Sequence, residues 1–93
     1  MKHIYLIAYE IQDGLYDYSV LKDAIRSISD DYQHPLESLW FLKTDEPMDI
    51  NEMSEQLRKC LQSSTDKLYI LEMPSEPNHS GWMPKVMWKW FKK

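Results

Sequence analysis

Glu10, Asp13 and Asp17 form the one acidic cluster that falls where small α+β domains carry chemistry, at the end of an apolar strand. A hard divalent cation needs two or more converging oxygen ligands, so Glu10 and Asp13 are the candidate ligands for Mg²⁺ and Glu10 is the candidate catalytic carboxylate. A two-fold axis through such a site would turn one carboxylate into two. The plainer reading is a solvated loop followed by a helix cap at Asp17. His3, His34 and His79 lack a metal-ligand spacing, and each alone reads as a surface or packed ring. Ser38 has no base near it in sequence to activate it as a nucleophile. Cys60 is the single cysteine, which excludes an internal disulfide and a Cys-rich zinc centre.

A second group lies at the C-terminal end. Lys85, Trp88, Lys89 and Lys92 interleave cations with an aromatic ring, the combination that tracks and stacks on single-stranded RNA or DNA. The same composition can seat a helix at a membrane surface. It also fits packing: a helix begun at Ser80 or Trp82, with Pro84 in its first turn, puts Met83, Val86, Met87, Trp90 and Phe91 on one apolar face and the lysines elsewhere. The charge is split in the same place. Residues 1–84 carry 7 Lys/Arg against 15 Asp/Glu, a net of −8, while Lys85, Lys89, Lys92 and Lys93 add +4 to give the chain its −4. An acidic body argues against broad electrostatic binding of duplex nucleic acid.

These residues must be positioned by a small set of elements. His3 to Tyr9 alternates Ile4, Leu6, Ala8 with Tyr5, Ile7, Tyr9 and predicts a strand apolar on both faces. After the turn signal Asp13-Gly14, a helix capped by Asp17 or Ser19 and running to about Ser29 carries the stripe Tyr18, Leu21, Ala24, Ile25 and Ile28. A short strand over Gln33–Ser38 is demoted to an edge or bend by Pro35, and a buried one follows over Leu39–Lys43; one long bent strand is the alternative. Asp49 with Glu52 starts a second helix whose apolar face is Ile50, Met53, Leu57, Cys60 and Leu61. Asp66 to Met73 predicts a last strand, with Leu68 and Ile70 on one side and Tyr69 and Leu71 on the other. The order is a ferredoxin-like β-α-β-β-α-β sandwich of class α+β over residues 1–78, with a helical extension over 79–93.

Both helices of such a sandwich lie on one face of the sheet. The other face would then be bare and apolar, beyond the few hundred Å² that a soluble monomer exposes. A homodimer, or the chain's own tail, is expected to cover it. At 93 residues the chain buries only about 60–65% of its surface on folding, so association would help its stability. No run approaches the ~20 apolar residues of a membrane span. Ile4 to Tyr9 is too short for a secretory leader, so a cytoplasmic setting is the expectation.

Three stretches carry a family resemblance: Ile4-Tyr5-Leu6-Ile7-Ala8-Tyr9-Glu10, Leu36-Glu37-Ser38-Leu39-Trp40 and Asp66-Lys67-Leu68-Tyr69-Ile70. They resemble the strands of the small ferredoxin-like proteins of CRISPR adaptation and of their relatives, the virulence-associated D toxins and the short "SinR-like" proteins. Ser80-Gly81-Trp82, with Pro84 and Trp90, is most similar to the last branch. The resemblance implies a homodimer with a nucleic-acid-related role. In some members it implies a metal-dependent endonuclease whose strand-end Asp aligns with Glu10. A glutamate there departs from that pattern, changing the reach of the carboxylate. The alternative is a homodimeric scaffold that keeps the fold without the active site.

Overall fold

The computed structural model describes residues 2–11, 18–74 and 76–92. They form β1 (His3–Glu10), α1 (Ser19–Ile28), β2 (Asp31–Leu36), β3 (Leu39–Thr44), α2 (Ile50–Arg58), β4 (Lys67–Met73) and α3 (Lys85–Lys92). The sheet runs β2-β3-β1-β4 and every neighbouring pair is antiparallel. Each α-helical crossover therefore skips one strand, and the order β-α-β-β-α-β-α is roughly that of a ferredoxin-like sandwich with one helix added.

Strand alternation builds the first core. Tyr5, Ile7 and Tyr9 of β1 and Trp40 and Leu42 of β3 face Leu21 and Ile25 of α1 and Met53 and Leu57 of α2. The partly buried residues of that cluster, among them Tyr18, Ala24, Ile28, Ile50, Cys60 and Leu61, complete the two helical stripes. Asp49 caps α2, its carboxylate accepting from the Asn51 and Glu52 N–H groups at 2.8 and 3.4 Å. The β3–α2 connection is held by Tyr5, whose hydroxyl accepts from the Met48 N–H at 2.7 Å and donates to the Met48 carbonyl at 3.3 Å.

Several boundaries differ from the sequence reading. Ser19 is the first residue of α1 and not its N-cap; Tyr18 holds the N-cap position without a side-chain cap bond, and Asp17 lies outside the described residues, as does Asp13-Gly14. The second strand begins at Asp31, two residues earlier than expected, because the Asp30 N–H already donates to the Lys43 carbonyl at 2.9 Å as the chain leaves the helix. It ends at Leu36, and Glu37-Ser38 is a turn, so the hairpin is two strands and not one bent strand. Pro35 sits on the edge strand, within the register irregularity between Gln33 and Leu36. Asp66 precedes β4: its carboxylate accepts from the Gln62 and Ser63 N–H groups at 3.3 and 3.1 Å, which fixes the turn into the strand.

The other face of the sheet holds the second core. Met87, Trp90 and Phe91 of α3 pack on Ile4 of β1 and Phe41 of β3, with Met83 and Met73 at the margin. The helix starts at Lys85, later than Ser80 or Trp82, and Pro84 precedes it with its carbonyl accepting from the Met87 N–H at 3.0 Å. Val86, expected on the apolar face, is exposed. The buried set 83, 87, 90 and 91 centres the stripe nearer Met87, which leaves Val86 on its rim. Among the described residues no helix is long and apolar enough to cross a membrane.

Candidate functional site

The register of the sheet arranges its second face in transverse rows. Residues opposite one another project to the same side, so Asp31, Lys43, Ile4 and Met73 make one row across the four strands, and Gln33, Phe41, Leu6 and Leu71 make the next. Leu36, Leu39, Ala8 and Tyr69 make the third, beyond which Glu10 stands opposite Lys67. The cluster around α3 takes in Ile4 and Met73 of the first row, Phe41 and Leu6 of the second, and Leu39 of the third. The exposed apolar side chains of this face lie toward its two edges: Leu36 is 50% exposed, Tyr69 62% and Leu71 44%.

The tail therefore covers only part of the face that the sequence leaves without helices. Lys43 explains part of that placement. It is a lysine in the first row, only 3% exposed, and its ammonium donates to the Trp90 carbonyl and lies 4.2 Å from the centroid of the Trp90 ring. A buried cation demands such partners. The carbonyl end of a helix, where the macrodipole is negative, supplies one and the indole face another. The Trp90 Nε1–H is buried without a hydrogen-bond partner among the described residues.

The predicted site residues divide accordingly. Glu10 is the last residue of β1 and exposed, its carboxylate 3.8 Å from the Lys67 ammonium across the β1–β4 pair. It borders a shallow cavity of about 420 Å³ lined by Ala8, Tyr9, Glu10, Lys67, Leu68 and Tyr69. Asp13, the second expected ligand of Mg²⁺, lies outside the described residues. Among the described residues no three His, Cys, Asp or Glu side chains group closely enough to hold a metal ion.

On α3, Lys85, Lys89 and Lys92 are exposed, and helical spacing sets them together on the side away from the buried stripe. Trp88 is half-buried, with His79 edge-on at 5.2 Å and Gly81 close enough that a Cβ there would stand 3.7 Å from the ring. Both contacts come from the segment that leads into the helix.

Two of the three histidines are ring partners. His34 stacks on Trp40 at 3.8 Å with planes 15° apart, and His79 also meets Phe91 edge-on at 4.6 Å. Trp40 is fully buried and donates through Nε1 to the Tyr9 hydroxyl at 3.2 Å, which donates in turn to the Glu37 carbonyl at 2.9 Å. Arg26 lies 5.5 Å from the Trp40 ring. This relay ties the end of β1 to the β2–β3 turn. Sequence spacing could not reveal it, because its members come from three separate segments. Lys43 was missed as well, although a lone lysine ending the apolar run Leu39-Trp40-Phe41-Leu42 is a signal for a cation that needs a partner.

No family model matches the sequence, and no curated protein matches it. Among solved structures the chain is similar to the crystal structure of a hypothetical protein from Thermus thermophilus, at 24% identity and a TM-score of 0.58, over 90% of this chain and 96% of that one. That likeness shows a shared fold over nearly the full length of both chains.

Proposed function

We propose that this chain is a homodimeric, non-catalytic scaffold or partner-binding module on a ferredoxin-like sandwich. The split order of its elements and the antiparallel β2-β3-β1-β4 sheet support the ferredoxin-like reading. The observation that carries the functional reading is the apolar surface that α3 leaves uncovered on this face, Tyr69 and Leu71 at the β4 edge and Leu36 at the β2 edge. A surface of that kind is self-complementary under a two-fold axis, since each copy offers what the other covers. The facing of Glu10 and Lys67 at its border adds a charge pair that two copies can exchange.

The competing reading is a Mg²⁺-dependent endonuclease acting on RNA or DNA through Glu10, with Lys85, Trp88, Lys89 and Lys92 holding the strand. In its favour Glu10 stands at a strand end beside a cavity, and the three lysines share one exposed side of α3. Against it, the carboxylate already faces a cation. Labelled RNA and DNA incubated with the protein and with Glu10→Ala, in Mg²⁺, Mn²⁺ and EDTA, separate the two. The scaffold reading expects no cleavage that depends on both the metal and Glu10. Cleavage abolished equally by EDTA and by Glu10→Ala overturns it.

A further inference from the structure

Resting on the homodimer reading, we propose that Trp82 is the anchor of self-association, its indole seated on the uncovered apolar surface at Tyr69 and Leu71 of a second copy of the chain. Trp82 is 99% exposed, the most exposed large apolar side chain described. It does not hang from a loose segment. On one side Gly81 lies against the Trp88 ring; on the other Met83 packs into the cluster of Ile4, Phe41, Met87, Trp90 and Phe91. Both neighbours are held and the indole is thrown outward from the layer that covers the open face. The backbone that carries the indole is held on both sides, and tryptophan is among the residues enriched where a few side chains dominate an interface.

The occupant of its partner site must offer a flat apolar surface with an acidic border, because Lys85 and Lys89 stand exposed close behind Trp82 in the chain. In a second copy the uncovered Tyr69, Leu71 and Leu36 supply the apolar surface, and two exposed carboxylates stand near them: Glu10, beside Lys67, and Glu37, which follows Leu36 and lies 3.6 Å from the Lys22 ammonium. The body of the chain carries −8 and its last nine residues +4. A basic tail on an acidic body is thus attracted to another copy, whereas the same body is repelled by anionic lipid and by phosphate backbones. The size also fits. An aromatic side chain contributes on the order of 150–250 Å², so Trp82 and Tyr69 with Leu36, Leu71 and Val86 approach the ~800 Å² per partner of a standard interface. Under a two-fold axis each contact occurs twice.

Sedimentation velocity over a concentration series, on the full chain and on Trp82→Ala and Tyr69→Lys, tests the proposal. Trp82→Ala should keep the far-ultraviolet spectrum of the parent and weaken dimerisation about thirty-fold, the effect of a dominant interface residue. The parent's tryptophan emission should shift to the red on dilution, and that shift should vanish in Trp82→Ala, because Trp40 and Trp90 are buried within one copy. A Trp82→Ala protein that dimerises like the parent, while Tyr69→Lys is monomeric, overturns the anchor and leaves the dimer standing. A parent that is monomeric throughout overturns the dimer itself. So does a monomer that binds phosphatidylserine vesicles or oligonucleotides only when Trp82 is present.

Discussion

The Lys43 ammonium donates to the carbonyl of Trp90, 47 residues along the chain, and lies against the face of the same residue's ring. A strand lysine and a helix C-terminus are thereby buried together. Neither is stable there alone: the cation would be desolvated without partners, and the last carbonyls of α3 would lack a donor. The docking of the tail and the burial of Lys43 are one event, and α3 belongs to the folded domain.

Truncation after Asn78 tests this directly. Burying Met87, Trp90 and Phe91 contributes roughly 5–8 kcal/mol by area before the entropy of ordering the tail is charged. The shortened chain should melt at least ~10 °C lower, since about 1 kcal/mol shifts a domain of this size by several degrees. An unchanged melting temperature would mean that the tail is ordered but contributes nothing to the fold.

Reversing the charge at Lys43 should be severe. Lys43→Glu sets a carboxylate against a carbonyl oxygen in a buried place, and we expect a loss of about 3 kcal/mol or more in urea unfolding. Lys89→Glu, on the exposed side of the same helix, should stay within about 0.5 kcal/mol of the parent. Equal effects from the two would show that the Lys43 contact is not made in solution.

The relay behind the third row makes a smaller prediction. Tyr9→Phe leaves the buried Trp40 N–H and the Glu37 carbonyl each without the hydroxyl, at a cost of about 1–3 kcal/mol. Amide exchange should accelerate at the Glu37-Ser38 turn first, because that turn loses its tie to β1.

The Lys2–Asp45 pair at 2.8 Å sets a pH dependence. The hydrogen bond and charge of Lys2 hold the Asp45 carboxyl below its ordinary 3.8, and the same contact holds the Lys2 ammonium above 10.5. A depressed carboxylate adds stability that is lost as pH falls through its folded value; a raised ammonium adds stability that is lost as pH rises through its own. Comparing the parent with the double variant Lys2→Met, Asp45→Asn should show a small difference that is flat between about pH 5 and 9 and closes at both extremes. A difference that peaks near neutrality would point to a histidine instead.

Periodicity made much of this architecture legible before any coordinates. The stripes of both body helices, the alternation of Leu68, Tyr69, Ile70 and Leu71, and a tail helix with lysines on its far side all follow from local spacing. The cap at Ser19 failed because a serine beside a strong apolar stripe can lie inside the helix as easily as before it. The start of β2 failed because strand pairing, not propensity, decides that Asp31 is extended. The partial cover of the open face was out of reach in principle. It depends on Lys43 meeting Trp90, a contact that no window of neighbouring residues contains. The same holds for the site: Glu10 was visible as a strand-end carboxylate, but its pairing with Lys67 required the register of β1 on β4.

The central claim is that the apolar surface α3 leaves uncovered, with Tyr69 its most exposed member on the sheet, joins two copies. Sedimentation equilibrium of the parent chain and of Tyr69→Lys measures it most directly. Twice the 11.2 kDa chain mass for the parent and a single chain mass for an otherwise folded Tyr69→Lys is the expected result. A single chain mass for both, or a dimer that Tyr69→Lys leaves intact, contradicts the account.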